Sequence, residues 1–227
     1  MNRDLLRDSG RRFEAVLFDL DGTLLDTIAD IAGTMNRVLA ARGLPTYDAA
    51  HYKYFVGAGI EEMVKRALHP TAIGDAEVDE IVLEYRREYK SHWGDTSKPY
   101  AGVAEMLRGV ESRGLRMAIL SNKSHPFTTL MTASLLKEFR FDAVRGSMPE
   151  VPNKPDPAAA LLIARELGVD PSRCLFLGDA DIDMKTAVAA GMCPAGALWG
   201  FRTAEELRAS GAAVLLASPS DLLELLD

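Results

Sequence analysis

Short, largely apolar runs recur along this chain, and between them apolar residues return at every third or fourth position. The runs at residues 15–18, 116–120, 174–177, 195–198 and 213–216 are too short for helices and lie close to Gly, Pro, Ser or Asp, so they predict buried strands. Among the intervening stretches, Val103, Met106, Leu107 and Val110 share one helical face, and Gly114 follows as a stop. Residues 156–167 predict another helix, closed by Gly168. Alternation of this kind predicts an α/β chain, a Rossmann-like parallel sheet flanked by helices.

One stretch interrupts the alternation. Ile28, Ile31, Ala32, Met35, Val38 and Leu39 form an apolar stripe, with Thr27 placed to cap it and Gly43 to end it. A second stripe contains Ile60, Met63, Val64, Ala67 and Leu68 and stops at Pro70; a third contains Val78, Ile81, Val82, Tyr85 and Tyr89. These stripes predict an all-helical cap over residues 26–95, inserted directly after the first strand. Residues 13–25 and 96–227 then form the sheet-bearing core, and the polar residues 1–12 a loose tail. An insert at that point sits over the C-terminal edge of the sheet. It either adds stability or acts as a lid that excludes water, and its location favours the lid.

Composition narrows the functions available. The chain has 227 residues, 48% hydrophobic and 26% charged, which is the balance of a globular protein. A formal net charge of −7 argues against nucleic acid and against an anionic membrane surface, since both need a basic face. No apolar run approaches the ~20 residues needed to cross a bilayer. The absence of a signal-peptide-like stretch points to the reducing cytoplasm. Cys174 and Cys193 lack C-x-x-C spacing, and Cys174 reads as a small buried hydrophobe. Monomer and homodimer both remain open.

The chemistry begins at Phe18-Asp19-Leu20-Asp21-Gly22-Thr23-Leu24. Two acids at the C-terminal end of a buried strand are unfavourable unless a cation or an anionic reaction employs them, and that end is where open parallel sheets bind ligands. Two close carboxylates in different environments also acquire different proton affinities. Three further segments bear on the same edge. Ser121 and the Asn122 backbone end the second predicted strand, where a hydroxyl and a free N–H suit a phosphate oxygen; Ser-Asn is equally ordinary turn chemistry. Lys154 lies in Asn153-Lys154-Pro155-Asp156-Pro157, where two prolines stiffen the backbone and aim the ammonium. Asp179 and Asp183, in Gly178-Asp179-Ala180-Asp181-Ile182-Asp183, are four apart at a helix start. Helix capping accounts for one of these acids, and a hard cation such as Mg²⁺ for the rest.

These four elements, in this order, resemble the haloacid dehalogenase superfamily of phosphotransferases, and the helical insert resembles that family's alpha-helical cap. The resemblance covers residues 14–227. It implies that Asp19 is the nucleophile, forming an aspartyl phosphate, and that Asp21 is the general acid/base. It implies phosphate binding by Ser121, Asn122 and the loop amides around Gly22, and a charge-steadying role for Lys154. It also implies a Mg²⁺ site of Asp19, the Asp21 carbonyl and Asp179, supported by Asp183. Ala180 departs from the Ser or Thr of many relatives, which removes a hydrogen bond behind the metal site.

Substrate choice falls to the cap. Gly57 and Gly59 form a turn entering a helix, an anion-receiving arrangement, and Arg66 lies on the same helix. The Val56-Gly57-Ala58-Gly59 turn with Arg66-Ala67-Leu68, residues 99–103, and Trp199-Gly200-Phe201-Arg202 resemble the phosphoglycolate phosphatase branch. That branch implies a small phosphorylated metabolite, 2-phosphoglycolate foremost. Sugar-phosphate phosphatases, pyrophosphatases and β-phosphoglucomutase-like mutases have similar caps and stand as alternatives, although no decisive His or Lys on the cap favours a mutase. A catalytically silent binding protein on the same fold would lack at least one of Asp19, Asp21, Lys154 and Asp179, and all four are present.

Overall fold

A computed structural model describes residues 12–69 and 74–227; the expected tail, apart from Arg12, and the expected stop at Pro70 lie outside them. Six parallel strands form the main sheet: β1 (Ala15–Phe18), β4 (Arg116–Ser124), β5 (Ala143–Ser147), β6 (Cys174–Gly178), β7 (Cys193–Ala197) and β8 (Val214–Leu216). Their order is β5-β4-β1-β6-β7-β8, which puts β1 at the centre. All four residues of β1 are fully excluded from solvent, with both faces covered. Burial of Leu17 or Phe18 contributes roughly 1.5–3 kcal/mol each. The predicted strands at 195–198 and 213–216 begin or end a residue or two from β7 and β8. The edge strand β5 was not predicted, because Ala-Val-Arg-Gly-Ser has neither an apolar run nor an alternating pattern.

Four helices lie between residues 27 and 93: α1 (Ile28–Ala41), α2 (Ala49–Phe55), α3 (Ile60–Leu68) and α4 (Asp75–His92). Met35, Leu39, Val64, Ile81 and Tyr89 meet in a core of their own, apart from the two apolar layers on the faces of the sheet. Three of the helices follow the predicted stripes. The fourth, α2, is only seven residues long and too short to show a period. Its start is marked by Asp48, which accepts the His51 N–H at 3.0 Å.

The chain crosses between sheet and helices twice, and the two crossings pair with each other. β2 (Leu25–Asp26) and β3 (Lys98–Pro99) form a short antiparallel ribbon. Beside it the buried Asp30 carboxylate, in the first turn of α1, accepts the backbone N–H and hydroxyl of both Thr96 and Ser97. Thr27 does not cap α1 as expected. Its hydroxyl donates to Asp21 Oδ1 at 2.7 Å, so it serves the end of β1 instead. The remaining helices are α5 (Val103–Ser112), α6 (His125–Leu135), α7 (Ala158–Leu167), α8 (Asp181–Ala189), α9 (Ala204–Ala209) and α10 (Asp221–Leu226).

Candidate active site

The ends of three neighbouring strands, β4, β1 and β6, bring the predicted residues together. Asp19 follows β1 directly and is 7% exposed. Lys154, from the loop before α7, places Nζ 2.9 Å from Asp19 Oδ1 and 2.6 Å from Asp183 Oδ1. Asp183 Oδ2 in turn accepts the Ala180 N–H at 2.9 Å, fixing the start of α8. Ala180 has no side-chain acceptor, so only half of a capping box is present there.

Asp179 is held from three sides. Thr23 Oγ1 donates to Oδ1 at 2.9 Å, and the Phe201 N–H donates to Oδ2 at 2.8 Å. Gly22 and Gly200 close in on it: a Cβ on either would fall 2.3 Å from an Asp179 atom. Gly22 also has φ +87°, which a side chain would oppose. The sequence points Gly22 to the phosphate and gives residues 199–202 only a resemblance; in the structure Gly22, Gly200 and Phe201 all serve Asp179.

Oxygen atoms of Asp19, Asp179 and Asp183 all lie within 4.8 Å of one another, and all three residues are buried. Among the described residues, Lys154 is the cation paired with them there. Burial pushes Asp19 well above the ordinary carboxylate range, with Asp183 and Asp179 adding to the rise and Lys154 opposing it. Burial and the charge of Asp183 push Asp179 up to about 7, against the bonds from Phe201 and Thr23. For Lys154, burial disfavours the charge, but Asp183 and Asp19 outweigh it and raise its proton affinity. Three buried carboxylates beside one ammonium are short of positive charge. Oxygen donors in that arrangement fit a hard divalent cation.

Asp21 stands apart from this cluster. Lys123 Nζ lies 3.2 and 3.1 Å from its two oxygens and 4.7 Å above the ring of Tyr89. Sequence reading passed over Lys123. The available signal was strand alternation, which turns residues 121 and 123 to the same face of β4.

Asn122 does more than offer its backbone. Its Oδ1 accepts the Lys154 N–H at 2.9 Å, and its Nδ2 donates to the carbonyls of Lys154 at 2.9 Å and Gly57 at 3.0 Å. One side chain thus positions the lysine segment and ties it to the turn before α3. Ser121 is buried, and its hydroxyl accepts the Lys123 N–H at 3.2 Å.

A cavity of about 90 Å³ opens onto Asp19, Asp21 and Asp179. Gly57, Gly59, Ser121 and Asn122 line it, as do Ile31, Met63, Tyr85 and Tyr89 from the helices. Arg66 is not on its wall. The guanidinium is taken by Glu62 at 2.9 Å and by the carbonyl of Tyr54 at 2.9 Å, so it braces α3 against α2. Arg86 of α4 lies on the wall instead, paired with Glu61 at 2.8 Å. Arg202 links core and helices by donating to the carbonyls of Lys53 and Val56.

The model of the haloacid dehalogenase-like hydrolase family matches residues 16–197, which include Asp19, Asp21, Lys154, Asp179 and Asp183. The chain belongs to that family. It is 34% identical over 217 residues to N-acetylmuramic acid 6-phosphate phosphatase of Pseudomonas aeruginosa, covering 95% of this chain and 96% of that one. It is also 34% identical over 211 residues to phosphoglycolate phosphatase of Xanthomonas campestris pv. campestris, covering 92% and 95%. A crystal structure from Lactobacillus delbrueckii subsp. bulgaricus superposes with a TM-score of 0.90 at 26% identity, covering 95% of this chain and 98% of that one. Among the described residues no helix is long and apolar enough to cross a membrane.

Proposed function

We propose that this protein is a magnesium-dependent phosphatase that hydrolyses a small phosphate monoester through an aspartyl phosphate on Asp19. The observation that carries this reading is the Asp19 carboxylate, buried, facing the cavity and held by Lys154 at 2.9 Å. A carboxylate fixed in that way is poised to attack phosphorus. Mg²⁺ held by Asp19, the Asp21 carbonyl and Asp179 would supply charge that offsets repulsion between carboxylate and phosphate dianion. Lys154 shares that task, Asp183 keeps Lys154 aimed, and the loop amides with Ser121 hold the phosphoryl oxygens. Asp21 protonates the leaving oxygen and then takes a proton from the water that opens the aspartyl phosphate.

Residues 26–95 act in this reading as a cap over the core of residues 13–25 and 96–227. The paired crossings at β2 and β3 support that division, and the helical residues on the cavity wall support a water-excluding role. The burial of both cysteines, Cys174 and Cys193, accords with a reducing cytoplasm.

For substrate we favour 2-phosphoglycolate, on the similarity to a phosphatase of that name. N-acetylmuramic acid 6-phosphate is the second reading, favoured by an equally similar relative and by the aromatic wall of Tyr85 and Tyr89, which suits a sugar face. Comparing kcat/KM for the two esters separates them. The reaction itself is tested by Asp19→Asn, which should abolish Mg²⁺-dependent phosphate release from p-nitrophenyl phosphate while the fold is retained. Undiminished turnover would remove Asp19 from the nucleophile's role.

A further inference from the structure

The mechanism leaves two polar groups of the cavity without a task. Tyr85 is 6% exposed, and its ring stacks on Tyr89 with centroids 5.2 Å apart. Its hydroxyl nevertheless has no hydrogen-bond partner among the described residues, although the residue lines the cavity. Among the described residues the buried polar side-chain atoms left without a partner do not include this oxygen, so it opens to the cavity, where a ring needed only for packing would be served by phenylalanine. The hydroxyl is therefore a donor kept for something that enters the cavity.

Lys123 faces the same space. Its ammonium has three N–H donors, and its hydrogen bonds among the described residues go only to the two oxygens of Asp21. One donor is left over. Arg86, also on the wall, pairs with Glu61 and is half exposed, so water reaches its remaining donors. An ammonium donor and a phenol donor lining one cavity, both against the Tyr89 ring, suit an acceptor-rich anionic group on the leaving alcohol.

We propose that the Tyr85 hydroxyl and the Lys123 ammonium form the leaving-group subsite, and that it selects organic phosphates whose alcohol part carries a carboxylate. The proposal rests on the phosphatase reading and extends it. It joins the two substrates considered above, since glycolate and N-acetylmuramic acid both bear a carboxylate.

Two matched pairs test it: 2-phosphoglycolate against ethyl phosphate, and N-acetylmuramic acid 6-phosphate against N-acetylglucosamine 6-phosphate. The wild type should favour the acid of at least one pair by about tenfold or more in kcat/KM, the scale of a hydrogen bond to a charged group. Tyr85→Phe should reduce that preference about tenfold, chiefly through KM. Lys123→Arg should keep the preference and Lys123→Met should lose it. Equal use of both members of both pairs by the wild type would overturn the proposal. So would an undiminished preference in Tyr85→Phe, or a loss confined to kcat. Phosphate release from none of these esters, nor from p-nitrophenyl phosphate, would defeat the phosphatase reading and the subsite with it.

Discussion

Asp179 shows how much surrounding structure one carboxylate demands. Thr23 and Phe201 give it donors, while Gly22 and Gly200 leave it room. Gly200→Ala would drive a methyl group into the Asp179 Cβ, 2.3 Å away, and cannot be relieved by moving a flexible side-chain tip. We expect a stability loss of about 1–3 kcal/mol by urea denaturation, together with weaker Mg²⁺ binding by calorimetry. Unchanged metal affinity would separate this glycine from the site. Asp179 itself was legible as a site acid from its place after an apolar run. Its glycine walls were not, because close approach between residues 22, 179 and 200 follows from strand neighbours and leaves no local pattern.

Among the elements, the junction between α1 and the β2–β3 ribbon joins the two hydrophobic units. Asp30 is its anchor. Burial opposes the charge on this carboxylate, but bonds from Ser97 and Thr96 outweigh that and hold its proton affinity below the ordinary carboxylate range. A depressed folded value means the stabilisation is complete above the unfolded value of about 4 and drains away as pH falls through the folded one. Asp30→Ala would leave the buried Ser97 donors and those of Thr96 unpaired, so it should cost about 2–4 kcal/mol at neutral pH. The deficit should shrink toward pH 3 in chemical denaturation; a constant deficit would assign it to packing instead. The helices of this unit were predicted where their stripes were long. α2 was missed because seven residues give no period, and β5 because an edge strand is only partly buried.

For the molecule as a whole, the acid cluster links pH to stability and, on the proposed function, to metal as well. Asp19 and Asp179 have raised proton affinities in the protein without metal, Asp179 to about 7. A folded value above the unfolded one means that the contribution of these two groups is greatest below about pH 4 and is lost as pH rises toward about 7. Metal-chelated protein should therefore show a Tm that declines across this interval, and saturating Mg²⁺ should remove the decline at its upper end. Asp179→Asn should flatten the slope without metal. A slope that survives both changes would place the titrating groups elsewhere. The parallel sheet, the helical insert and the cluster of Asp19, Lys154, Asp179 and Asp183 were readable along the chain, because apolar period, strand length and residue type are local properties. Lys123 beside Asp21, the Asn122 amide across to Gly57 and the open hydroxyl of Tyr85 were not readable in this way. Each depends on which strand ends and helices are brought side by side, and that packing chooses a side chain's partners among residues far apart in sequence.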